Sequence, residues 1–258
     1  MRPVLFSVGH VDFFSAPIFA GLSALAAYFY YARNRPSGLS EEDFWNLMMR
    51  LAVGVIAGSV LLYFLAYGPG FAGNVKRLLA RRRVPGGSFF GSLLGATALA
   101  YAYCRSRNLP FGPVADPLGP ASLLALSIMR LGCLLNGCCY GRPTDLPWGL
   151  VFTDPRCNVR DSWLGRPLHP TQVYEAAGSL AILLFVHFAA LRRVRSGRWP
   201  AGSAFALSLG LYCVLRFALD FTRGGDPGVF RLVGLGTSQW IAAACLLALT
   251  PLLRPRRR

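Results

Sequence analysis

Charge is what this chain has least of, and negative charge least of all. Only 15% of its 258 residues are charged, and 11 Asp and Glu stand against 27 Lys and Arg. That scarcity, beside 54% hydrophobic residues and a mean hydropathy of +0.43, excludes an ordinary soluble domain and fits a polytopic membrane protein. Internal repeats and low-complexity segments are also missing, so residues 1–258 read as a single membrane domain. A convincing signal peptide is missing too. Arg2 is the only early positive charge, Asp12 interrupts the lead-in, and no clear cleavage site follows. The first apolar segment is therefore expected to be retained. A disulfide framework is not indicated, because Cys104, Cys213 and Cys245 fall inside apolar runs, where a free cysteine packs as a small hydrophobe. The formal net charge of +16 sits in clusters that flank apolar runs, which points to anionic lipid headgroups and away from nucleic acid.

What the chain has is long hydrophobic segments. A membrane-crossing helix needs ~20 apolar residues. On that criterion the fold class is all-α with about seven transmembrane helices, near 13–32, 51–70, 88–104, 118–139, 170–191, 202–222 and 233–253. Gly54–Gly58 and Gly91–Gly95 have the small-xxx-small spacing that lets helices approach closely. Arginine bias barely orients the chain. The basic tail at 254–258 and "RRVRSGR" favour a C-terminus inside, while "KRLLARRR" at 76–83 argues against it.

Parity is more informative. Residues opening the third, fifth and seventh spans share a membrane face with those closing the fourth and sixth. The unusual polar residues fall there: "GGSFFGS", "RLGCLLNGCC", "LHPTQVYE", "YCVLRFALDFTRGGD" and "GTSQW". Clusters scattered in sequence thus converge on one candidate site.

Arg130 is expected about three turns from the end of its span and Arg216 about two. An arginine within a membrane span faces the bundle interior and is paired, or it binds an anion. Internal ion pairs of Arg216 with Asp220 and of Arg130 with Glu175 are one reading. The other is phosphate binding, which a forked guanidinium does better than any other side chain. Tyr212, four residues before Arg216, shares its helix face and could hold a phosphate oxygen or move a proton, or serve as an interfacial aromatic. His169 stands at or just before a helix start and could be a general base or a cap. His187, inside an apolar run, is expected to make a local hydrogen bond. Cys133, Cys138 and Cys139 carry a thiol role or plain packing. Their C-x4-C-C spacing is not a familiar zinc pattern, so no metal is expected.

Together these clusters resemble the prolipoprotein diacylglyceryl transferase family. The resemblance rests on Arg130, Asn136 and Gly141 in one run followed by "PTDLPWG", on "HPTQVYEA" at 169–176, and on Tyr212, Arg216, Asp220 and Arg223 followed by "GGD" and Ser238-Gln239. It implies seven transmembrane helices in the bacterial cytoplasmic (inner) membrane and a site near the outer face. It also implies transfer of the diacylglyceryl group of phosphatidylglycerol to the thiol of a lipobox prolipoprotein cysteine, without a cofactor. By position, Arg130 would bind the phospholipid headgroup with Asn136 and Gly141 shaping its pocket, and Arg216, assisted by Tyr212, would hold the leaving phosphate; Arg223 is added to the phospholipid-binding set and His169, as a proton acceptor, to the catalytic one. Three places depart from the family pattern. Phe90-Gly91-Ser92 stands where a His-Gly-Gly is usual, Phe14 where an aromatic hydroxyl is, and Cys133 and Cys138 where Asn and Glu are. Two functions therefore stand open on the sequence: the transferase, with a prolipoprotein or another thiol acceptor, and a non-catalytic phospholipid-binding protein of the same fold.

Overall fold

The computed structural model describes residues 2–9, 11–67, 70–81, 87–224 and 232–253. Arg82, Arg83, Gly86, Gly225, Asp226 and the basic tail at 254–258, all part of the motifs above, lie outside them. The chain is mostly helical. Two short strands, β1 (Val4–Val8) and β2 (Val11–Phe14), form a hairpin that leads into α1 (Ser15–Asn34). Then come α2 (Glu41–Ala66), α3 (Gly70–Arg81), α4 (Phe89–Ser106), the short α5 (Phe111–Ala115) and α6 (Leu118–Asn136). A loop carrying β3 (Leu150–Val151) and β4 (Pro167–Leu168) leads to α7 (Thr171–Phe185). A π-helical turn at Val186–Leu191 continues α7 into α8 (Arg192–Arg195), and α9 (Ser203–Asp220) and α10 (Thr237–Leu253) follow.

Helices occupy all seven segments expected to cross the membrane. Four stretches, Glu41–Ala66, Phe111–Asn136, Thr171–Arg195 and Ser203–Asp220, are long and apolar enough to do so by length and composition. Large apolar side chains on the outside, such as Ile56, Leu61, Phe29 and Leu247, suit contact with lipid rather than water. The protein is a multi-pass, helical membrane protein.

Helix ends differ from the expected spans for identifiable reasons. α2 begins at Glu41, well before residue 51, because Ser40 caps it by accepting from the Asp43 amide (3.0 Å) and three acidic residues occupy its first turn. The basic cluster from residue 76 lies on α3 instead of in a loop, and buried Asn74 on that helix donates to the Tyr67 carbonyl closing α2 (2.8 Å). His187 bonds not to a local partner but to the Tyr30 hydroxyl of α1 (2.7 Å).

The helices pair most extensively as α2 with α4, α1 with α6, α6 with α7 and α9 with α10. The two glycine motifs meet each other in the first pair. A Cβ on Gly54 would stand 2.6 Å from the Gly95 carbonyl oxygen, and one on Gly91 would stand 2.7 Å from the Leu62 Cβ, so only glycine permits this approach. At the opposite end from the polar clusters, buried Asp116 caps α9 from outside that helix. Its carboxylate accepts from the amides of Gly202 and Ala204 (2.8 Å each).

Candidate active site

Glu175 is the centre of the polar convergence. It lies just over one turn into α7 and is fully buried. Three arginines from two helices and the segment after α9 reach it. Arg130 approaches with Nε 3.0 Å from Oε2 and Nη2 3.1 Å from Oε1. Arg223 donates through Nη1 to Oε2 (3.2 Å), and Arg216 Nη1 stands 3.8 Å from the same oxygen. The Tyr212 hydroxyl donates to Oε1 (2.9 Å). A carboxylate serving three guanidiniums explains how these charges can be buried at all, since an unpaired buried charge is strongly unfavourable.

Both ion pairs expected from the sequence form, and each is part of this larger network. Arg216 Nη2 also meets Asp220 Oδ1 (2.8 Å) and donates to Ser238 Oγ (3.2 Å), which in turn is 2.8 Å from the Tyr67 hydroxyl. Arg130 lies less than two turns from the end of α6 and Arg216 about one turn from the end of α9, so both stand nearer the helix ends than the sequence suggested. Among the described residues the cluster holds three cations against two carboxylates, which leaves one positive charge in excess. Arg216 Nη1, though buried, has no hydrogen-bond acceptor.

The segment after α6 is folded over this cluster. Gly137, at φ +68°, ends the helix, and the Cys138 amide bonds back to the Cys133 carbonyl (3.0 Å). Cys139, at φ +61°, turns the chain again. The start of α7 holds this turn, with Gln172 Nε2 donating to the Cys138 carbonyl (2.9 Å) and Thr171 Oγ1 to that of Cys139 (2.6 Å). The three sulfurs of Cys133, Cys138 and Cys139 come within 4.8 Å of one another, beside Arg130, whose Nη1 is 3.7 Å from Cys133 Sγ.

Gly141 and Asn136 are tied in through their backbones, His169 and Phe90 through their rings. Gly141 bridges Arg223, and its amide donates to the His169 carbonyl (2.9 Å). A Cβ there would stand 2.7 Å from the carbonyl oxygens of both His169 and Thr222, so a glycine is required. The Asn136 carbonyl accepts from the Asn158 amide (3.1 Å), anchoring the loop. The His169 ring packs edge-on to Tyr174 (6.3 Å) and its buried Nδ1 has no hydrogen-bond partner. Phe90 is buried against Tyr212, with ring centroids 5.7 Å apart. Phe14, half exposed, ends β2 at the start of α1.

A family model described as prolipoprotein diacylglyceryl transferase matches residues 3–253. The chain belongs to the prolipoprotein diacylglyceryl transferase family. A phosphatidylglycerol–prolipoprotein diacylglyceryl transferase of Geobacter sulfurreducens is 34% identical over 90% of this chain and 86% of its own length. Those of Clostridium tetani and Aromatoleum aromaticum are 29% and 30% identical over 94% and 99% of this chain, and 92% and 95% of their own lengths. Phe90, one of the departures expected from the sequence, packs directly on a tyrosine that bonds Glu175. Glu175 and Ser238 were legible in the sequence only as an ion-pair partner and as part of a motif. The signal that could have raised Glu175 is its place as an acidic residue inside an apolar helix.

Proposed function

We propose that this protein transfers the diacylglyceryl group of phosphatidylglycerol to the cysteine thiol of a prolipoprotein. The observation that carries this reading is the excess of one positive charge among the described residues at Arg130, Arg216 and Arg223, with the buried Arg216 Nη1 lacking a hydrogen-bond acceptor. A lipid phosphate supplies the one negative charge and the acceptor that the cluster lacks. Beside it lies an open apolar cleft of about 370 Å³ lined by Leu62, Ala66, Leu232, Thr237, Trp240 and Ile241, next in sequence to the Ser238 that bonds Arg216. That neighbourhood suits a lipid with its headgroup at the arginines and acyl chains in the cleft.

The chemistry is a displacement at the glyceryl C3. The thiol sulfur forms the new C–S bond, the C–O bond to phosphate breaks, and glycerol phosphate leaves with one more negative charge. Arg216, steadied by Asp220 and Ser238, holds that developing charge, while Tyr212 and Glu175 orient the guanidiniums. Arg130 and Arg223 bind the headgroup, and Asn136 and Gly141 shape the loop that covers it. The thiol must give up a proton. With Phe90 unable to take it, the partnerless Nδ1 of His169 or a sulfur of the cysteine turn is the acceptor in this chain.

In this reading the single domain crosses the bacterial cytoplasmic membrane seven times and holds its site near the outer face, where the lipobox cysteine emerges. Expression in cells depleted of their own transferase tests it. Restored growth with diacylglyceryl-modified lipoproteins supports the transferase. Correctly inserted protein without rescue favours the second reading, a phospholipid-binding protein without turnover, for which the apolar Phe90 beside Tyr212 is the specific observation.

A further inference from the structure

The turn after α6 brings together three sulfurs that the C-x4-C-C spacing alone argued against. Consecutive side chains normally diverge. Here Gly137 and Cys139, both with positive φ, fold the segment so that Cys138 and Cys139 face the same space as Cys133 on α6. All three Sγ atoms lie within 4.8 Å of one another, and all three thiols are free. A tetrahedral thiolate site with metal–sulfur bonds of about 2.3 Å places its sulfurs about 3.8 Å apart, so the triangle needs only a small contraction.

We propose that Cys133, Cys138 and Cys139 form a three-thiolate site for one thiophilic d10 cation, zinc in the first place, with its fourth position open. The geometry is held from outside: the carbonyls of Cys138 and Cys139 are fixed by Gln172 and Thr171, so the sulfurs are positioned before any ion arrives. The neighbouring Arg130 points Nη1 at Cys133 Sγ (3.7 Å), the outer hydrogen bond that steadies a thiolate ligand. The ligand chemistry is selective, because soft sulfur donors without a carboxylate favour zinc or cuprous ions over magnesium or calcium. Binding releases the thiol protons to solvent as the metal–sulfur bonds form, and no sulfur changes oxidation state.

The site uses the same cysteine turn whose sulfur is one of the two proton acceptors named above, and its test is independent of transferase turnover. The full chain is purified in detergent, reduced, stripped with a chelator and titrated with cobalt under anaerobic conditions. Sulfur-to-cobalt charge-transfer absorption saturating at one equivalent, and bleached by one equivalent of zinc, is the expected result. Cys139→Ser and Cys133→Ser should each weaken cobalt binding by at least ~10-fold, while Cys104→Ser, on α4 and outside the triangle, should leave it unchanged. Reduced wild-type protein with no sulfur-to-cobalt band overturns the proposal, and so does binding that persists equally in the Cys133 and Cys139 variants. Because the band is read in the wild type, a variant that fails to fold does not decide the question.

Discussion

Glu175 is the residue on which the buried charge network depends. Among the described residues it is the one carboxylate that all three arginines share, so its removal leaves cations facing each other around a buried position. Glu175→Gln keeps the shape and removes the charge. It is expected to destabilise the protein by ~3–5 kcal/mol, the usual range for breaking a buried ion pair from one side. Unfolding in detergent by denaturant or heat reads this directly. Adding Arg223→Gln should recover part of the loss, because the surplus charge falls; equal instability of the double and single variants would contradict the shared-hub arrangement. The sequence showed this network only in pairs. Arg130 with Glu175 and Arg216 with Asp220 follow from spacing and charge, but that one carboxylate serves three guanidiniums depends on how α6, α7 and α9 pack.

Among the elements, the closest contact is between α2 and α4. Gly91→Val places two methyl groups where the Gly58 backbone and Leu62 already stand. Overpacking of this kind costs ~1–3 kcal/mol where neighbours can move, and backbone cannot move far, so the upper end is expected. A thermal melt of the variant in detergent measures it, and an unchanged melting temperature would show that the two helices do not meet through these glycines. At the other end of the molecule, Asp116→Ala removes the carboxylate that takes the Gly202 and Ala204 amides. A loss of about 1–2 kcal/mol is expected in the same measurement, as for other helix caps.

Element boundaries show where sequence reading stops. Helices in the apolar segments were legible because lipid demands long hydrophobic runs, and four of the helical stretches are long and apolar enough to cross a membrane. The first ten residues of α2 were not, since "EEDFWNLMMR" is too polar for a hydropathy criterion, although Ser40 followed by three acids is itself a capping signal. The amphipathic α3 hides its helical period among basic residues, and the π-helical turn at Val186–Leu191 leaves no mark on the sequence that we can name.

For the whole molecule, polar residues from four of the five clusters, on α6, α7, α9 and α10, meet at one end of a helical bundle, and Phe90 of the fifth packs on Tyr212, while the outside stays apolar. Parity of the helices made that convergence readable without coordinates. The turn at Cys139 was not readable, because a positive φ on a cysteine runs against residue preference. The consequence is a buried carboxylate among arginines, one positive charge in excess among the described residues, an apolar cleft beside it, and three sulfurs gathered in the turn after α6. The central claim, transfer of diacylglyceryl to a thiol, is tested most directly with purified protein, phosphatidylglycerol vesicles and a lipobox peptide. The peptide cysteine is expected to gain the mass of one diacylglyceryl group, glycerol phosphate to appear in equal amount, and Arg216→Gln to slow the reaction at least ~100-fold. A peptide of unchanged mass, with a working family member active under the same conditions, would contradict it.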